Sequence, residues 1–146
     1  MAGRGVRERL SLVEVEHVAF ALAEKLLRLG EPIPDFSTRF PGILESCLGT
    51  PFQTFGGRAL YPSLVARASI LFYLIVKNHP FQNGNKRIAV TTLLYFLSKH
   101  GKWLNVDLPQ FLNVTRWVAQ SRSKEKECVI LAIEAFVSKH MVRLSG

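Results

Sequence analysis

The stretch Ile70–Leu97, ILFYLIVKNHPFQNGNKRIAVTTLLYFL, decides the fold. Apolar residues crowd both ends, and one polar run, His79-Pro80-Phe81-Gln82-Asn83-Gly84-Asn85-Lys86-Arg87, breaks the middle. In each half the apolar residues fall on nearly every side of a helix, which is the pattern of a buried helix. The first predicted helix runs from about Pro62, where proline suits a first turn, to Asn78. The second runs from Asn85 to His100 and stops at Gly101.

Amphipathic segments flank this pair. A first helix is expected over Leu12–Leu29. Ser11 and Glu14 form a capping box at its start. Val15, Val18, Ala19, Leu22, Leu26 and Leu29 make one apolar face. Gly30 ends it, and Glu31-Pro32-Ile33-Pro34 is a breaker. A short helix follows near Gly42–Leu48. Thr50-Pro51-Phe52-Gln53-Thr54-Phe55-Gly56-Gly57-Arg58 reads as a hairpin, the one expected strand region. Asp107 caps a helix reaching Gln120, and Ser123-Lys124-Glu125-Lys126-Glu127 opens a last helix reaching Met141. The expected fold class is all-α: a compact bundle of about six to seven helices with a short β-hairpin. A chain of 146 residues makes one domain, 1–146, with residues 1–10 as an N-terminal tail.

Composition narrows the function. A hydrophobic fraction of 48% supports a proper core. No run approaches the roughly 18 apolar residues of a membrane span, and no secretory signal is visible. Cys47 and Cys128 stand far apart without a CxxC partner, which argues against a disulfide framework or a zinc site and fits a reducing cytoplasm. A net charge of +8 suggests an anionic partner. The basic residues are dispersed, with no clustered stripe and no helix-turn-helix or zinc pattern, so direct nucleic-acid binding is not expected. His17, His100 and His140 lack partners at ligand spacing and read as structural or surface residues. Trp103 and Trp117 read as core.

The polar run is an odd interhelical turn. The following helix starts at Gly84-Asn85-Lys86-Arg87, and a helix N-terminus carries free N–H groups and partial positive charge that favour phosphate. Glycine lets the backbone approach an anion closely. Lys86 and Arg87 in the first turn oppose the dipole, an arrangement that makes sense beside an anion. His79 ends the preceding helix, and an imidazole, with an ordinary pKa of about 6.5, can take a proton from a hydroxyl. Phe81 reads as a buried loop anchor.

This segment resembles the Fic/Doc signature. The general Fic form is HPFx[DE]GNGRxxR; the Doc, or death-on-curing, branch reads close to HxFx[DN][AG]NKR. His79, Phe81, Asn83, Gly84, Asn85, Lys86 and Arg87 fit the Doc form at every specified place. Phe40-Pro41-Gly42 to Glu45, Phe52 to Gly57, Tyr61-Pro62 and Lys77-Asn78 extend the likeness over about residues 10–120.

The resemblance implies a nucleotide-dependent enzyme with ATP as substrate and Mg²⁺ as its metal. His79 would be the general base, Asn83 the metal position, and Gly84 and Asn85 an anion hole. Lys86 and Arg87 would bind phosphates, and Gln53, Thr54, Phe55, Gly56 and Gly57 would be a flap that docks an extended target segment. Lys86 replaces the Gly of AMP-transferring Fic proteins, and Val90 replaces their second Arg. In Doc-type proteins this pattern accompanies transfer of the γ-phosphate to a protein Ser or Thr hydroxyl. Asn83 is a neutral amide where a carboxylate is usual, and so a weaker metal ligand. Ser121 and Glu125 come nearest to the family's inhibitory [ST]xxxE[GN] motif, but Lys126 breaks it, which implies a separate antitoxin. The Doc branch further implies a bacterial cytoplasmic toxin of prophage or plasmid origin that acts on a translation factor such as elongation factor Tu. The alternatives are protein AMP transfer, a nucleotide- or partner-binding Fic fold without turnover, and a nucleic-acid-binding module.

Overall fold

The computed structural model describes residues 9–26 and 33–144. The expected end of the first helix at Leu27 to Gly30, the Glu31-Pro32 part of the breaker, and residues 1–8 of the tail lie outside the described residues. Arg9 and Leu10 lie within them, and Leu10 is buried in the core.

The first helix, α1, is composite: α-helical over Leu12–Glu14, a π turn over Val15–Ala19, and α-helical again over Phe20–Leu26. The Phe20 N–H reaches back to the Val15 carbonyl. This wider turn shifts the buried stripe, because one extra residue is spent in it. Val15, Ala19, Phe20 and Ala23 are buried, whereas Val18 and Leu22 of the expected face are half-buried. The capping box forms as expected: Ser11 N–H donates to Glu14 Oε1, and Glu14 N–H donates to Ser11 Oγ, both at 3.1 Å.

A short helix, α2, spans Ile43–Gly49. The hairpin follows with β1 at Thr54–Phe55 and β2 at Arg58–Ala59, Thr54 pairing with Ala59. Gly56 and Gly57 connect them at φ 59° and 80°, the left-handed pair that a two-residue hairpin turn requires. Helix α3 covers Leu64–Asn78. Its cap is Ser63, whose Oγ accepts the Ala66 N–H at 3.0 Å. Pro62 therefore precedes the cap and is not in the first turn. Helix α4 covers Asn85–Lys99, α5 Leu108–Gln120 and α6 Lys126–His140. Asp107 caps α5 as expected, accepting the Gln110 N–H at 2.8 Å.

Helices α3 and α4 pack on each other as the central pair. Ile70–Tyr73, Ile75 and Val76 on α3, and Ile88–Val90, Leu93, Leu94, Phe96 and Leu97 on α4, are all buried. Helix α1 covers α4, α6 covers α3, and α5 touches both. The whole is an all-α bundle with a hairpin.

Two further expectations fail. The hairpin is not the only strand region: β3, Lys102–Leu104, pairs antiparallel with β4, Met141–Arg143, with Trp103 opposite Val142. The last helix accordingly ends at His140. This pairing joins segments nearly forty residues apart, which local periodicity cannot register. Trp117 is not core either, being 50% exposed. It lies off the stripe formed by Phe111, Thr115 and Val118, the buried residues of α5.

Glu14 also staples α1 to the far end of α4. Tyr95 donates to Glu14 Oε2 at 2.8 Å, and Lys99 Nζ sits 2.8 Å from the same oxygen. Burial pushes the Glu14 carboxyl up, but hydrogen bonds from Lys99, Tyr95 and Ser11 outweigh it and hold the group below its ordinary value. Burial, aided by the Glu14 carboxylate, pushes the Tyr95 phenol up to about 12. His100 and His140 lean on Phe96 and Phe136, and His17 is exposed. Cys47 is buried, Cys128 is exposed, and both are free thiols. Among the described residues no helix is long and apolar enough to cross a membrane.

Candidate active site

Helix α3 ends at Asn78, and His79 follows as its C-cap with φ 50° and ψ 66°. Among the described residues His79 alone takes a positive φ without being glycine. Left-handed backbone at a side-chain-bearing residue costs on the order of 1 kcal/mol and clusters at functional sites. The His79 side chain is exposed, so its imidazole is available to a substrate.

The loop beneath it is tightly held. Phe81 is fully buried. Its ring lies 5.2 Å from that of Phe20 on α1 and 6.0 Å from that of Phe36, while Phe20 and Phe36 meet edge to face at 5.3 Å. Three separate segments thus supply one aromatic cluster, a favourable arrangement for quadrupolar rings. The Phe40 N–H donates to the Pro80 carbonyl at 2.9 Å, which ties the loop to the segment before α2. Phe36 and Phe20 were not singled out from the sequence, because aromatic spacing does not reveal which distant rings will meet.

The residues before His79 are anchored as well. Lys77 Nζ donates to the carbonyls of Ala119, at 3.2 Å, and Ser121, capping the end of α5. Asn78 hydrogen-bonds the Cys47 side chain. Burial nevertheless pushes that thiol up to about 11, so it stays protonated and inert.

Gly84 forms the N-cap of α4 at φ 71°, and as glycine it makes no side-chain cap to the turn after it. First-turn N–H groups have no acceptor within their own helix, so this end presents donors and partial positive charge. Lys86 is half-buried. Asn85 and Arg87 point inward. Asn85 bonds the Phe81 main chain, with its Nδ2 3.5 Å from His79 Nδ1. Arg87 is 8% exposed and donates from Nη2 to the Ala23 carbonyl of α1 at 3.1 Å. His79, Gly84, Asn85 and Lys86 therefore gather at one end of the central pair, while the Arg87 guanidinium braces that end against α1.

The residues can be tested against the magnesium that the resemblance implies. Asn83 Oδ1 is buried and makes no hydrogen bond, and an orphaned amide oxygen is a donor a hard cation accepts. Among the described residues no group of three or more His, Cys, Asp or Glu converges to hold a metal. Asn83 thus fits as a single oxygen ligand to an ion carried by phosphates, and not as part of a protein cage. The hairpin residues Gln53, Thr54, Phe55, Gly56 and Gly57 are all exposed, Phe55 at 80%.

Comparison with curated proteins and with solved structures finds no match. The family model described as "Fic/DOC family" matches residues 10–97, more than half of the chain, from the start of α1 through the motif loop to Leu97 in α4. The chain belongs to the Fic/DOC family, whose members are generally nucleotide-dependent transferases.

Proposed function

We propose that this protein is a Doc-type phosphotransferase that moves the γ-phosphate of ATP onto a protein Ser or Thr hydroxyl. One observation carries the reading: an exposed imidazole, held in strained backbone at the end of α3, stands across a short loop from the glycine-capped start of α4. His79 takes the proton of the target hydroxyl as its oxygen attacks the γ-phosphorus. The bond from that phosphorus to the β–γ bridging oxygen breaks, and ADP leaves. Backbone N–H groups in the first turn of α4, with Lys86, hold the phosphates, and Arg87 keeps that turn braced on α1. Asn83 Oδ1 would hold a magnesium ion that would supply neutralisation of phosphate charge. The Gln53–Gly57 hairpin docks an extended target segment by strand addition.

Two features favour γ- over α-phosphorus chemistry. Lys86 brings bulk and charge to a place where AMP-transferring relatives have glycine. Val90, at the place of their second arginine, is fully buried in α4, so that position offers nothing to a nucleotide. By the same Doc likeness the target is a translation factor such as elongation factor Tu, in a bacterial cytoplasm. A separate antitoxin then restrains the enzyme.

The test is label transfer. The protein incubated with cell extract and γ-labelled ATP should phosphorylate a protein band, and His79→Ala should lower the rate by about 10²- to 10⁴-fold. Label transferred from the α-position alone overturns the kinase reading in favour of AMP transfer. The neutral Asn83 favours a second reading, nucleotide binding without turnover. ATP protecting the protein from heat with no transfer of either label selects that one.

A further inference from the structure

Asn85 departs most from the role that the resemblance implies. Its side chain is 7% exposed, and both ends of its amide are engaged by one residue of the loop. Oδ1 accepts the Phe81 N–H at 3.0 Å, and Nδ2 donates to the Phe81 carbonyl at 2.8 Å. Turning that amide over would set donor against donor and acceptor against acceptor, so its orientation is fixed by the chain. Nδ2 then lies 3.5 Å from His79 Nδ1, and the imidazole edge rests against it. With Oδ1 and one Nδ2 hydrogen on the Phe81 main chain and the imidazole edge beside the nitrogen, the buried amide is turned into the loop.

We infer that Asn85 is a positioning residue, a side-chain clamp that holds the Phe81 main chain and seats the His79 ring, and not an anion-hole ligand. The inference rests on the proposed site but concerns how that site is built. The loop carries a left-handed histidine, and such backbone persists only where surrounding contacts over-determine it. Phe81 fixes the loop from below through its ring. Asn85 fixes it from α4 through the main chain, at a separation of four residues that suits the short Asn side chain. Anion recognition then falls to the backbone N–H groups and Lys86, and the clamp acts on the reaction only through where His79 points.

Two substitutions separate the roles. Glutamine is one methylene longer: it could still reach a phosphate, but it would misfit a clamp of this span. Both Asn85→Ala and Asn85→Gln should lower label transfer by about 10- to 100-fold, with nucleotide affinity changed by no more than about threefold. If Asn85→Ala lost nucleotide affinity in step with transfer, and Asn85→Gln restored both, the clamp would be wrong and the phosphate role right. Wild-type protein supplies a readout independent of folding in the variants. The Phe81 amide should exchange slowly with deuterated water and keep its protection when ATP saturates the site. Deprotection of that amide by ATP would mean that Asn85 leaves Phe81 for the nucleotide, which overturns the inference. Were the protein to show neither transfer nor nucleotide binding, the proposed function would fall. Faster Phe81 exchange in Asn85→Ala than in wild type would still establish the clamp, and equal exchange would refute it.

Discussion

The motif loop and the β1–β2 hairpin are both short polar connections, yet they are built in opposite ways. The loop from His79 to Gly84 is held by an aromatic cluster below, a side-chain clamp from α4 and a main-chain bond to Phe40. The hairpin rests on two paired residues per strand and a Gly-Gly turn, with every side chain from Gln53 to Leu60 exposed. A group that must take one proton in one geometry needs the first construction. Under the proposed function, the second construction suits a segment that pairs with extended chains through its main chain, since it has little structure to lose on adapting.

Removing the anchor of the rigid region should give the largest effect. Phe81→Ala deletes a fully buried ring and is expected to cost about 3–5 kcal/mol in urea denaturation, whereas Phe55→Ser in the hairpin should stay within about 0.5 kcal/mol. Comparable losses for the two would erase the contrast.

A smaller effect concerns the staple that holds α1 over α4. The folded Glu14 carboxyl lies below its ordinary value, so its stabilisation is complete above about pH 4.5 and fades as pH falls through the lowered folded value. Glu14→Gln should therefore lose about 1–2 kcal/mol at pH 7 and less at pH 3, read from paired urea curves. An equal loss at both pH values would show that charge plays no part there.

The smallest change sharpens the comparison from within the rigid loop. His79→Gly removes the proposed base and relieves the left-handed strain together. Its stability should rise by about 1 kcal/mol while transfer is lost. A fall in melting temperature would mean that the imidazole's contact with Asn85 contributes more than the backbone strain costs.

The helices α3, α4 and α5, the Ser11–Glu14 capping box, the Gly-Gly hairpin and the place of the motif at a helix junction were all legible from residue order. Each depends on neighbours within a turn or two, where periodicity and capping chemistry act. Only the tertiary structure decided that Phe81 meets Phe20 and Phe36, that Arg87 turns in to Ala23, and that Lys77 caps α5. The same holds for the pairing of β3 with β4 and the exposure of Trp117. Those outcomes depend on which distant surfaces share one core, and a one-dimensional pattern records a residue's preference for burial without recording its partner. The motif itself divides along that line. Its residue types announce a base beside a phosphate cradle, but which of its polar side chains face a ligand and which hold the loop is settled by packing.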